Sequence, residues 1–190
     1  MILHMGTTAE RSMRSDARRN RARLIEVASA AFRDEGLEIG VDELARRTGL
    51  GIATLYRHFP AKSDLIVAVM NMVFDELAAA ADTALSTGPP EQALERFLGA
   101  TVVVQCQNRG FLQALARHDP PDQDRDALSR RAVAILGPIV AAGHASGTFR
   151  AEFDAFDLLV VLRMLGAIST RPQHRPADAY VATVLRGLAQ

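Results

Sequence analysis

Thr54, Tyr56, Arg57, His58 and Lys62 are the residues whose types and spacing best lend themselves to chemistry in this chain of 190 residues. All five carry hydrogen-bond donors, and they crowd around a helix end marked by Pro60. Arg57 can donate a bidentate pair to O6 and N7 of guanine. Thr54 can bond a phosphate or touch a thymine methyl, and Tyr56 and His58 have donors at phosphate reach. Lys62 opens the next helical stretch, where backbone N–H groups and the positive dipole end favour a phosphate. Gly51 and Ala53 are small enough to let the backbone approach a groove. Taken singly, a tyrosine or histidine near a helix end is as readily a packing residue or a cap. The combination is what points to a reader of polyanionic double helices.

Other chemistries are poorly supplied. His118 beside Asp119 is the acid–base pair a small helical enzyme could use, but adjacent residues point in different directions, which is poor dyad geometry. Asp122, Asp124 and Asp126 open like a calcium loop; Ala127 at its sixth position and Val133 at its twelfth exclude one. These acids suit the start of a helix. The single cysteine, Cys106, rules out an intrachain disulfide and suits a reducing compartment. With no Cys/His cluster and no glycine-rich phosphate loop, neither metal nor cofactor is expected.

The elements that must position the five donors follow from composition and period. Apolar residues make up 48% of the chain, aromatics only 5%, and tryptophan is absent. The core is therefore built of Leu, Val, Ile and Ala, and helix-period spacing throughout gives an all-α fold. Residues 1–16 are expected to form a disordered basic arm. Residues 17–35 read as a helix stopped by Gly36, 41–48 as a short second helix, 52–59 as a third, and 62–83 as a long fourth. Gly88, Pro89 and Pro90 break the chain. Longer helices follow at about 91–107, 110–118, 124–145, 154–170 and 176–189, about nine in all, with a kink at Gly137 and Pro138. This divides the chain into a small domain at 17–61 and a larger one at 62–190.

Leu24, Ala28, Phe32, Leu44, Ala45, Leu50, Leu55 and Phe59 form the expected core of the small domain, a helix-turn-helix that presents its third helix outward. Gly49 fits the turn, where the backbone needs positive φ. The formal net charge is zero, yet residues 1–62 carry +3 and the remainder −3. Residues 11–23 hold six arginines against Asp16 alone. They are either a polyanion-binding arm or a solvated tail. Arg18, Arg19 and Arg21 can reach phosphates beside the groove, and Arg46 and Arg47 on the second helix can take others.

Residues 17–75 resemble the DNA-binding domain of the TetR family of bacterial repressors. The matching residues are Ala30, Ala31 and Phe32, Gly36, the run Val41, Asp42, Glu43, Leu44 and Ala45, Gly49, and above all Thr54, Leu55, Tyr56, Arg57, His58 and Phe59 followed by Lys62. The resemblance implies a two-domain helical homodimer: three helices read a pseudo-palindromic operator, and a larger domain binds a small molecule and dimerises. The chain departs from the pattern at Gly40, where a capping Ser or Thr is usual, and at Ala61. Asp42 replaces a base reader at the start of the second helix, so reading falls on Thr54, Tyr56 and Arg57.

In the larger domain Phe97, Thr101, Val104, Gln105, Phe111, Leu115, His118, Arg163, Met164 and Ile168 combine apolar bulk with polar handles, as effector pockets do. Arg163 either meets an acidic effector or pairs across a dimer. Leu158, Leu159, Leu162 and Gly166, with Val181, Val184, Leu185 and Leu188, form two stripes that either make a four-helix dimer interface or complete the monomer core. Dimerisation is favoured because two recognition helices must reach major grooves about 34–36 Å apart. No run approaches the roughly 18 apolar residues of a membrane span, so a cytoplasmic location is expected. The function expected is ligand-responsive repression. The alternatives are control by a protein partner without a small-molecule pocket, and the His118 enzyme.

Overall fold

The computed structural model describes residues 8–118 and 122–169, together with Ala179, Val181, Thr183, Val184 and Gly187. Among the described residues the regular elements are all helical: α1 (Thr8–Glu35), α2 (Val41–Thr48), α3 (Ile52–His58), α4 (Lys62–Ser86), α5 (Ala93–Gln107), α6 (Arg109–Arg117), α7 (Asp122–Ala145) and α8 (Ala155–Ser169), with a 3-10 turn at Pro90–Gln92 before α5. The expected ninth helix at 176–189 lies outside the described residues apart from the five named.

α1 starts at Thr8 rather than at residue 17, which corrects the expectation of a disordered arm for residues 8–16. No glycine or proline interrupts residues 8–35, and Ala, Arg, Met and Glu are good helix formers. α2 ends at Gly49, whose φ of 68 lets its N–H turn back onto the carbonyls of Ala45 and Arg46. The turn is tightened by Thr48, whose Oγ1 donates to Ala45 O at 2.8 Å and accepts from the Leu50 N–H at 3.3 Å. α7 continues through Pro138, although proline offers no N–H to the preceding turn.

Two apolar cores result, and α4 serves both. Leu24, Ala28, Phe32, Leu44, Ala45, Leu55 and Phe59 form the head core, joined by Leu65, Ile66, Val69 and Val73 from the first half of α4. Phe74, Leu77, Ala81 and Ala84 from its second half join Leu136, Ile139, Leu158 and Leu162 in the body core. The division is not clean along the sequence, because Val104, Phe111 and Ala114 of α5 and α6 pack into the head. Phe111 stacks on Phe32, with ring centroids 6.1 Å apart and planes 18° from parallel. Next to it, Gly110 lies so close to α1 that a Cβ there would sit 1.8 Å from the Arg33 carbonyl oxygen. The packing of α6 onto the end of α1 therefore requires a residue without a side chain. Each fully buried Phe or Leu contributes about 1.5–3 kcal/mol, so the α5–α6 residues are a substantial part of what holds the head together.

Candidate nucleic-acid interface

α3 is positioned by its buried Leu55 and by Phe59, the residue that caps its end. Leu55 and Phe59 sit in the head core, and the helical period then fixes every other side chain. Ala53 and Arg57 stand opposite the buried pair and are exposed. Ile52 and Tyr56, four residues apart, take one flank and are 43% and 46% exposed. Thr54 and His58 take the other flank and are half-buried. Arg57 has no ion pair or hydrogen bond within the described residues and is free to meet a base edge. Arg18, Arg21 and Arg23 of α1 are exposed, and Lys62 at the start of α4, four residues past the end of α3, is half-buried. Arg21 lies over the Phe59 ring, 4.9 Å from its centroid, which fixes the α1 cation beside α3.

The absent cap at Ala61 is partly replaced. The Ala61 N–H donates to Asp64 Oδ2 at 2.8 Å, which is half of a capping box; alanine has no acceptor to supply the other half. Gly40 and Gly51 likewise start their helices with extended backbone and no side-chain cap.

Three sequence expectations change. Arg46 and Arg47 are not uncommitted phosphate contacts. Arg46 donates to both oxygens of Glu43 at 2.7 Å, and Arg47 donates to Glu43 at 2.7 Å and to both oxygens of Glu35 on α1, one of them at 3.0 Å. Hydrogen bonds from Arg46 and then Arg47 hold the Glu43 carboxyl down at about 2, and the Arg47 bond also lowers Glu35. Arg47 thus ties α2 to the end of α1. Arg19 is similarly paired with Asp16 one turn away. His58 has one ring nitrogen withdrawn from solvent: its Nε2 is buried without a partner. Desolvation, with Arg57 and Arg21 nearby, holds its pKa below the ordinary 6.5.

The exposure of Ile52 was not legible in the sequence. It lies three residues before Leu55, so the helical period alone places it with the core. Being the first residue of α3, it overhangs the edge of that core and remains in solvent.

The expected effector residues are divided between the two cores and the surface. Phe97 belongs to the body core, and Val104 and Phe111 to the head core. Thr101 is buried with its hydroxyl donating to Phe97 O at 2.8 Å. Leu115 is half-buried against the head, and His118, Arg163 and Met164 are exposed; the Ile168 side chain lies outside the described residues. Gln105 donates from Nε2 to Leu162 O at 2.8 Å, while its Oε1 is buried without a partner. A groove of about 370 Å³ does open elsewhere, between α1, α4 and α7, lined in part by Arg21, Glu26, Met72 and Arg131. Arg131, which the sequence did not single out, hydrogen-bonds Asn71 and Asp75 of α4, the latter at 2.6 Å, and lies over the Phe74 ring.

The expected dimer stripe is corrected on α8. Leu158, Leu159, Leu162 and Val181 are buried in the body core, and Val184 packs against it. Gly166 faces Gln105 of α5; Leu185 and Leu188 lie outside the described residues. The stripe left bare is Phe156, Val160 and Met164, which are 55%, 41% and 61% exposed. α8 is apolar on most of its circumference, so periodicity could not say which side faces its own chain.

No described helix is long and apolar enough to cross a membrane. Among the described residues no group of His, Cys, Asp or Glu could hold a metal ion.

Comparison with known proteins places both parts of the chain. Residues 24–69 match the profile described as bacterial regulatory proteins, tetR family, and residues 89–190 that of a transcriptional regulator SbtR-like, C-terminal domain. An HTH-type transcriptional regulator of Staphylococcus aureus is 45% identical over 64 residues. That match spans 33% of this chain and 35% of the relative's length. A TetR transcription regulatory protein from Mycobacterium vanbaalenii is 32% identical, with 94% of this chain and 99% of that one covered and a TM-score of 0.65. The TetR family regulator PfmR from Thermus thermophilus is 28% identical, with 88% and 100% covered and a TM-score of 0.61.

Proposed function

Since this chain belongs to the TetR family of bacterial transcriptional regulators, we propose that it is a repressor that grips a pseudo-palindromic operator as a homodimer and is released by a small-molecule effector. The observation that carries the DNA-reading part is the outward face of α3. Arg57 stands uncommitted at its centre, Tyr56 and Thr54 flank it, and Arg21 of α1 is held over Phe59 at the end of the helix. In the major groove Arg57 donates to a guanine, while Lys62 and the α1 arginines hold phosphates and fix the register.

Release requires an effector that binds the DNA-incompetent arrangement more tightly than the competent one. The route for such coupling is material. α4 has residues in both cores, and α6 touches the end of α1 through Gly110 and Phe111. A shift of α6 or of the lower half of α4 moves the head with it. Gln105, with an unpartnered acceptor beside α8, is the effector candidate whose surroundings most favour a ligand donor. The bare stripe of Phe156, Val160 and Met164 suits the second protomer.

The reading is tested by gel shift on DNA upstream of the gene itself. Specific retardation is expected, weakened by about 1–3 kcal/mol in Arg57→Ala. No specific retardation, with Arg57→Ala indistinguishable from wild type, overturns it. Control by a protein partner is the second reading, favoured by the scatter of the effector candidates between two cores and the surface. It prevails if no small molecule that stabilises the protein also displaces DNA. The His118 enzyme is discarded: the family and its relatives are regulators, and His118 stands exposed at the end of α6.

A further inference from the structure

We infer that Ile52 reads the C5-methyl group of a thymine in each operator half-site, making it a specificity-determining residue of the interface. This rests on the assignment of α3 as the DNA-reading helix. Nearly every other large aliphatic side chain of the head is buried or half-buried. Ile52 stays in solvent although nothing in the head core needs it there, and its outward neighbour one turn on is Tyr56, itself exposed. Two apolar bodies thus stand side by side on the flank of a helix whose other outward groups are cationic or small.

The surroundings say what covers them. Arg57 on the same helix and Arg21 of α1, held over Phe59, bring positive charge to this face, which complements the phosphates beside a groove. Gly51 and Ala53 leave the backbone low beside Ile52; no atom lies within 4 Å of a Cβ added at Gly51. A side chain without donor or acceptor cannot hydrogen-bond a base. The apolar group that the major-groove edge of a base pair displays is the thymine methyl. Contact with that methyl removes both surfaces from water. A guanine or cytosine in its place would set a polar edge against the isoleucine and leave it unpaired.

Replacing thymine by deoxyuridine deletes only the methyl, so the contact can be isolated. Binding sites are selected from random duplexes with the full chain. The selected site is then synthesised with each thymine changed in turn to deoxyuridine and titrated against wild type and Ile52→Ala. One thymine per half-site is expected to show about fourfold weaker wild-type binding on loss of its methyl, with no such loss in Ile52→Ala. Ile52→Gln is expected to shift the selected base at that position from thymine to adenine, because glutamine pairs with N6 and N7. If wild type binds a selected site but every uracil penalty is the same in Ile52→Ala, the thymine assignment is overturned while DNA reading stands. It is overturned in the same way if Ile52→Ala weakens all sequences alike, which would put Ile52 against the sugar–phosphate backbone. If no sequence is enriched at all, both fall together.

Discussion

His58 shows how a donor near a helix end can be turned to another use. Its Nε2 is buried without a partner, and burial with two neighbouring guanidinium groups lowers its pKa. The consequence for stability has a definite sign. The unfolded chain takes up a proton near the ordinary 6.5 and the folded chain only below it. Stability is therefore full above about pH 6.5 and is lost as the pH falls from there through the lower folded value. A melting series between pH 7.5 and about 5 should show that slope in wild type and a flatter one in His58→Gln. Equal slopes would mean that His58 does not control it. The outward placement of Arg57 was legible because the helical period alone turns it from the core. The pairing of Arg47 was not: its Glu35 partner is twelve positions away across a turn, and no periodicity reports such a pairing. Glu43, three and four residues before its arginines, is the part of that knot a helical reading could have found.

Among elements, α6 has the closest contact. Gly110 meets the Arg33 carbonyl where a methyl group has no room. Gly110→Ala is expected to push α6 off α1 at a cost of about 1–3 kcal/mol, lowering the melting midpoint by about 2–4 °C for each kcal/mol. An unchanged midpoint would show that the α1–α6 contact yields freely. Helix limits were legible where glycine or proline punctuates them, as at Gly36, Gly49 and Pro60. The start of α1 was not, since an arginine-rich segment reads equally as a tail. The division of the effector candidates between two cores was hidden for a related reason. An apolar residue on a helix face is claimed first by whichever core is nearer, and Phe97 and Phe111 went to different ones. Sequence shows that a face is apolar without showing what covers it.

For the whole molecule the surface proposed to pair two protomers is the outer side of α8. Phe156, Val160 and Met164 recur every four residues on one stripe, and a charge at its far end should keep two copies apart. Met164→Glu is expected to sediment as a monomer at micromolar concentration and to bind a full operator about a hundredfold more weakly, as avidity is lost. A variant that stays dimeric places the interface elsewhere. Leu162→Ala makes the contrast: buried in the body core, it should cost about 2–5 kcal/mol of stability rather than dissociate the protomers.

The stacking of Phe111 on Phe32 bears on how such regulators can be recombined. A head cut away at Pro60, or even at Gly88, would leave Phe32 facing water and the end of α1 uncovered. A hybrid that grafts this reading head onto a foreign sensor inherits the wrong ring, or none, at that seam. The exchangeable unit is therefore discontinuous: residues 8–73 and, from much later in the chain, Val104, Gly110, Phe111 and Ala114 must travel together.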